Sequence, residues 1–467
     1  MSLVAGVDSS TQSCKVVVVD VESGRVVRSG RAAHPEGTEV APAAWWEALL
    51  AAIADAGGLA DVEAVSIGGQ QHGMVALAAD GDVIRDALLW NDTRSGTAAE
   101  ALRDEVGRDA YAARTGLVPV ASFTASKLRW LRDAEPQNAE RVAAVALPHD
   151  WLTWRLRGFG PGAAALDELT TDRSDASGTA YWSPQTGDYD RELLRLALGH
   201  DAILPRVLGP AERSGVTAAH PGVPAGIPVG VGAGDNAAAA LGLGARSGDV
   251  VVSIGTSGTV FAVTDRPVID PTGTIAGFAD AGGAFLPLVA TLNAAQVVDT
   301  VAALLGVDHA EFGALALTAN PGADGVTLVP YFAGERTPDL PDATATFAGL
   351  TYRTTTRPNI ARAAIEGMVC GLAAGLDAVV DAGVAVERIL LIGGGARLEA
   401  TQQIASEVFA RPVTVVPPAE YVALGAAAQA AWTLTGTRPS WELEGTTVVS
   451  SPPHPQTRSA YLAAATR

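Results

Sequence analysis

A chain of 467 residues with 48% hydrophobic and 18% charged side chains is globular in composition and too long for one hydrophobic core, so two or three domains are expected. The formal net charge of −19 excludes a general basic field, and with it nucleic acid or an anionic membrane as the main partner. Cys14 and Cys370 without a CxxC pair exclude a disulfide framework or a Cys-based zinc site, and the start lacks a signal-peptide pattern. With no apolar run reaching roughly 18 residues, a soluble cytoplasmic protein is expected.

The first element is "VAGVDSSTQSCKVVVVD" (4–20), which reads as strand, Ser/Thr turn, strand and closing Asp. Asp8, just past the first apolar run, is a candidate Mg²⁺ residue, because that ion takes few carboxylates and keeps several waters. A helix follows over 43–57, with Trp46, Leu49, Leu50 and Ile53 on one face. "VSIGGQQHGMV" (65–75) is a strand running into a glycine turn that carries Gln70, Gln71 and His72. These side chains suit sugar hydroxyls, although a lone His on such a turn also serves as a structural group. "LLWNDTR" (88–94) is a tight polar loop.

Pro and Gly fill 206–234, leading into "VGAGDNAAAALG" (231–242). There a strand, a glycine turn and a helix beginning near Asn236 place Asp235 at a helix N-terminus, exposed and favoured as the anion by the dipole. Two readings stand: a helix cap, or a catalytic base displayed on a rigid turn. "LGLGARSGD" (241–249) reads as the crossing between domains, with the boundary set at 244/245. "VVVSIGTSGTVFAVTD" (250–265) then repeats the opening plan, a shift of 245 placing Thr11 on Thr256 and Asp20 on Asp265. Recurrence at half-chain spacing implies two related α/β domains. Facing turns of this kind suit a polyphosphate held from both sides by N–H groups and hydroxyls.

Beyond it, "AGERTP" (333–338) is a second polar loop, and 358–382 is a helix begun by Pro358, with a stripe of Ile360, Ala364, Met368, Leu372 and Leu376. "RILLIGGGARLEA" (388–400) is a buried strand, three glycines and a helix, a geometry open to a nucleotide. The tail 438–456 reads as irregular.

Taken in order, "GVDSSTQSCKVVVVD", "GGQQHGM", "LLWNDTR", "FTASKLRWL", "LPHDWLTWRL", "TDRSDASGT", "GAGDNAAAALG", "SIGTSGT", "YFAGERTP" and "LIGGGAR" resemble the FGGY family of carbohydrate kinases over nearly the whole chain. The resemblance implies two duplicated ribonuclease-H-like (actin/hexokinase-like) α/β domains with an interdomain cleft: 1–244 for sugar and base, 245–467 for nucleotide. It implies ATP-dependent phosphorylation of a ketose, D-xylulose at its 5-hydroxyl, with Mg²⁺. The alternatives are ribulose, gluconate, fuculose or glycerol as acceptor, or a non-catalytic actin-like nucleotide switch. By the same resemblance Asp235 is the base; Gln71, His72 and Asn236 bind sugar; Thr11, Gly255, Thr256, Gly394, Gly395 and Ala396 bind ATP; and Asp8 sits near the metal. Leu398 and Thr401 depart from the family pattern beyond the glycine turn. A homodimer is the expected assembly, and closure about 241–249 over the ligands is the expected motion.

Overall fold

The computed structural model describes residues 1–466 and divides into two compact units. The first comprises Met1–Ala245, Asp265–Leu286 and Glu420–Glu442; the second comprises Arg246–Thr264, Pro287–Ala419 and the residues from Leu443 on.

Valine-rich segments with small-residue turns pair locally, and the first unit starts with such a pair. Its sheet contains β1 (Leu3–Ser9), β2 (Ser13–Asp20), β3 (Val26–Ala33), β4 (Ala64–Gly69), β5 (Arg213–Val216), β6 (Pro228–Gly230) and β7 (Ala233–Gly234). The order is β5-β6-β4-β1-β2-β3, with β7 also on β4. β1 and β2 are antiparallel, with Leu3 opposite Asp20 and Ser9 opposite Cys14. β4 runs parallel to both β1 and β7, with Asp8 opposite Gly68, Ser9 opposite Gly69 and Gly234 opposite Gly69. Three parallel strands therefore end side by side, and the loops after parallel strands are where α/β sheets place their ligands.

The alanine run of 237–240 has a packing explanation. Helix Asp235–Gly242 lies against helix Tyr421–Thr435, which also packs on β1 and β4. The backbones approach so closely that a Cβ on Gly425 would overlap the Ala238 carbonyl, and one on Gly6 would overlap that of Ala423. Only Gly and Ala permit such helix–helix and helix–sheet spacing. Gln429 of the same helix ties the layers together, its Oε1 accepting from Ser66 Oγ (2.7 Å) and Gly232 N (2.9 Å).

Helix Pro42–Asp55 forms as expected, but its buried face is one residue off. Trp45, Ala48, Leu49, Ala52 and Ile53 face the core, while Trp46 and Leu50 are only half-buried. Alanines at 48 and 52 let that stripe approach the sheet, and Trp46 packs instead edge-on to His220, with the Arg155 guanidinium over its ring.

The second unit repeats the plan. Its sheet contains β8 (Asp249–Ile254), β9 (Gly258–Ala262), β10 (Phe285–Thr291), β11 (Arg388–Ile392), β12 (Val413–Val415) and β13 (Thr447–Val449), in the order β10-β9-β8-β11-β12-β13. β8 and β9 form the second hairpin and β8 runs parallel to β11, as β1 does to β4. The echo is therefore structural: hairpin, then a parallel neighbour. The second turn is one residue shorter, since Ile254 faces Gly258 while Ser9 faces Cys14.

Helix Arg357–Asp381 has Pro358 in its first turn and Thr356 as its cap, the Thr356 hydroxyl accepting from Asn359 N (3.3 Å). By length and composition it meets the test for a membrane span, contrary to expectation, yet it is mostly buried in this unit and holds the ion-paired Arg362 and Glu366 (2.7 Å). It is a core helix. Ile360 stands half-buried at the edge of the expected stripe. Cys14 and Cys370 are buried free thiols, and β13 interrupts the otherwise irregular tail.

Candidate active site

In the first unit, the ends of β1, β4 and β7 carry Asp8, the Gln70–His72 turn and Asp235 respectively. Asp235 is the first residue of its helix, Gly234 occupies the cap position, and no side-chain cap bond is made. The carboxylate Oδ1 instead accepts from Asn236 N (2.8 Å) and Asn236 Nδ2 (2.9 Å). Asp235 is not the exposed, dipole-stabilised anion expected from its position. It is partly buried, and loss of water together with the nearby Asp8 carboxylate raises its pKa to about 7 against the pull of the Asn236 bonds. A carboxyl poised there suits proton acceptance near neutral pH.

Asp8 is buried, and burial pushes its carboxyl up despite the opposing Lys15 ammonium at 3.3 Å. Ser10 Oγ donates to its other oxygen, and Lys15 also pairs with Glu420 (2.6 Å). One buried carboxylate with a hydroxyl beside it fits the sparse protein coordination that Mg²⁺ takes, and a cation would relieve the cost of burial. Thr11 stands in the same turn, its hydroxyl accepting from Trp90 Nε1 (2.8 Å). That bond explains one use of the "LLWNDTR" loop, which is itself closed by Arg94 on Asp92 (2.9 Å) and Glu39 (2.7 Å).

The turn after β4 is strained. His72 has φ +70, an uncommon value for a residue with a Cβ, and strain of this kind persists where surroundings enforce it. Its Nδ1 lies 2.9 Å from Gly178 O, its ring packs against Phe123 and Phe278, and its carbonyl accepts from Lys127 Nζ (3.1 Å) and Thr124 Oγ1 (3.3 Å). Gln71 is buried against the backbone of Gly234, where a Cβ would collide with its side chain, and its Nε2 donates to Ser174 O (3.1 Å). Gln70 is buried with neither amide atom hydrogen-bonded, an unusual condition for a native side chain.

Sequence reading missed Lys127, His149 and Ser174. Lys127 is fully buried, and desolvation lowers its pKa to about 7, near enough to neutrality for an amine to sit in the core. Its only sequence signal was its place within "FTASKLRWL". Ser174 bridges two candidate residues: Gly234 N donates to its Oγ (3.0 Å), while its carbonyl accepts from Gln71.

In the second unit, Gly255 and Thr256 form the β8–β9 turn, with Gly255 N donating to Ser257 O (3.1 Å). The glycine turn after β11 lies beside it: Cβ atoms on Gly393 or Gly395 would overlap Ile254, whereas Gly394 opens on free space. The expected helix does not start at the glycines. Gly394–Arg397 is a short 3-10 turn, and the α-helix begins at Glu399 after Leu398. Ala396 is buried and its carbonyl accepts from Gln402 Nε2 (2.9 Å). Leu398 fills the space over Gly313, and Thr401 is buried. The "AGERTP" loop is pinned by Glu335, which accepts from Leu292 N (2.7 Å) and Asn293 Nδ2 (3.0 Å).

Comparison with known proteins gives one consistent result. Residues 3–242 match the FGGY family of carbohydrate kinases, N-terminal domain, and residues 250–434 match its C-terminal domain. The chain is 50% identical to a xylulose kinase of Streptomyces coelicolor over 443 residues, 93% of this chain and 88% of the relative. It is 49% identical to a xylulose kinase of Streptomyces rubiginosus, over 94% and 89%. A crystal structure of a xylulose kinase from Bifidobacterium adolescentis superposes with TM-score 0.92 at 45% identity, covering 99% of each chain.

Proposed function

The chain belongs to the FGGY family of carbohydrate kinases, and from that premise we propose that it transfers the γ-phosphoryl group of ATP to the 5-hydroxyl of D-xylulose, giving D-xylulose 5-phosphate and ADP. The observation that carries the mechanism is the neighbouring ends of β1, β4 and β7, which bring a buried carboxylate, a polar turn and a second carboxylate to one end of one sheet.

Asp235 takes the proton of the 5-hydroxyl as that oxygen bonds to the γ-phosphorus and the bond to the bridging oxygen of ADP breaks. Phosphoryl transfer demands little covalent chemistry from the protein, so orientation and charge do most of the work. Gln71, His72 and Asn236 orient the ketose. Thr11 and Thr256 donate to the phosphates, and Gly255, whose N–H is taken up by Ser257 O, leaves room for them beside Thr256. Gly394, Gly395 and Ala396 form the adenosine-binding turn, with the open face at Gly394 as the approach. Asp8 would hold Mg²⁺ through water, and that ion neutralises phosphate charge when bound. Apart from Thr11 and Asp8, which serve the phosphates and their cation, residues 1–244 carry the sugar and base functions and 245–467 the nucleotide functions, and the cytoplasm is the compartment.

A coupled ADP-release assay over D-xylulose, ribulose, gluconate, fuculose and glycerol tests the reading. D-Xylulose is expected to give the highest kcat/KM. Glycerol turned over more efficiently than any ketopentose would overturn the acceptor assignment.

A further inference from the structure

The segment Asp172–Gly178 touches Gln71, His72 and the Gly234 that precedes Asp235, yet contains none of the acceptor-side candidates. Ser174 accepts from Gly234 N, next to Asp235, and from Gln71, while the Gly178 carbonyl meets His72 Nδ1. Ser177 Oγ accepts from Ala279 N (3.0 Å), beside the Phe278 that packs on His72. Asp172 opens the short helix Arg173–Ser177, accepting from Ser174 N (2.8 Å) and Asp175 N (2.9 Å). The position of this one segment therefore sets the spacing between the sugar turn and the base.

One side chain secures it from outside. His149, on helix Pro148–Leu156, is completely buried, and its Nδ1 lies 2.9 Å from both Asp150 Oδ1 and Asp175 Oδ2. Asp172 Oδ1 lies 3.7 Å from its Nε2. The ring also lies against the strand leading to the base: a Cβ on Gly232 would collide with its Cδ2 and Nε2. Asp150 is held in turn by Leu147 N on its second oxygen (2.8 Å). We propose that His149 is a positioning residue for phosphoryl transfer: as an imidazolium clasped by Asp150 and Asp175, it fixes the Asp172–Gly178 segment, and through Ser174 and Gly178 fixes Gln71, His72 and the Asp235 turn.

The electrostatics agree with that geometry. Burial alone pulls an imidazolium towards the neutral form, but the two carboxylates outweigh it and hold His149 well above its ordinary 6.5. Removing the cation leaves buried carboxylates unpaired, a costly state that the segment relieves by moving. Displacements of about 1 Å at a reacting centre cost up to roughly 100-fold in rate.

The inference rests on the acceptor-site reading above, and its test separates the two. His149→Gln keeps a polar side chain without the charge, and His149→Lys restores a cation. In His149→Gln, kcat is expected to fall roughly 10- to 100-fold with a raised ketose KM and an unchanged ATP KM; His149→Lys should recover most of the loss. Histidine-ring NMR of the wild type, assigned by the signal missing in either variant, should show His149 still protonated at pH 8. Wild-type ketose kinetics in folded His149→Gln, a neutral ring at pH 8, or a stoichiometric divalent cation found by elemental analysis in the wild type and lost in His149→Gln each overturns the proposal. If His149→Gln does not fold, Ser174→Ala cuts the link to Gly234 while leaving the ion pair, and must show the same selective ketose defect. Absence of turnover on every sugar would sink the functional reading, while the ring titration would still decide the pairing.

Discussion

At the scale of single residues, the site depends on carboxylates kept from water. Asp235 has its pKa raised from 3.8 to about 7, chiefly by burial and then by Asp8, and the consequences for rate and stability have opposite signs. As a base it must be ionised, so kcat/KM for the ketose is expected to climb as pH rises through about 7 and then level off. For stability, a raised pKa means that the folded chain binds this proton more tightly than the unfolded chain. Asp235 therefore favours folding most below pH 3.8, and that contribution is lost as pH rises to about 7. Asp235→Asn escapes the loss. It is expected to lower kcat by roughly two to four orders of magnitude while melting at or above the wild-type temperature at pH 8, with the advantage shrinking towards pH 4. Activity and thermal unfolding measured on the same preparations check both halves. Near-normal turnover in the folded variant would remove the base assignment.

Elements are joined here by small residues, and this makes a prediction of its own. Gly425 faces the Ala238 carbonyl across the contact between helices Tyr421–Thr435 and Asp235–Gly242, with no room for a methyl group. Gly425→Ala is expected to cost about 1–3 kcal/mol by overpacking, despite alanine's better helix propensity. Gly96→Ala, in the first turn of another helix with nothing within 4 Å, should be neutral or slightly stabilising. Equal melting temperatures for the two variants would count against the close helix contact. The same contacts mark what sequence reading can reach. Both hairpins were legible because valine strands and Ser/Thr/Gly turns act through neighbours in the chain. Asp235 was legible for the same reason, as a charge on a strand–turn–helix junction, although its burial was not. The return of Glu420–Glu442 to the first unit was not legible, since an alanine-rich helix carries no address. Nor was the meeting of His149 with Asp175 and Gly232, or of Ser174 with Gly234, which only the sheet topology brings together.

At the scale of the whole molecule, the strongest constraint is the net charge of −19. A nucleotide bound to magnesium is still an anion, and a uniformly acidic surface repels it at long range. In the proposed nucleotide site, affinity then comes from short-range devices such as the Thr256 hydroxyl, which add no charge and draw no counter-ions. The screening length shrinks from about 30 Å at 0.01 M salt to about 8 Å at 0.15 M, so added salt removes the repulsion and leaves hydrogen bonds largely intact. With free magnesium held constant, kcat/KM for ATP is therefore expected to rise over that range, by up to about tenfold. The uncharged ketose supplies the internal control, and its kcat/KM at saturating ATP should stay level. A steep fall in kcat/KM for ATP would instead reveal a local basic field drawing the nucleotide in, and the argument from net charge would fail.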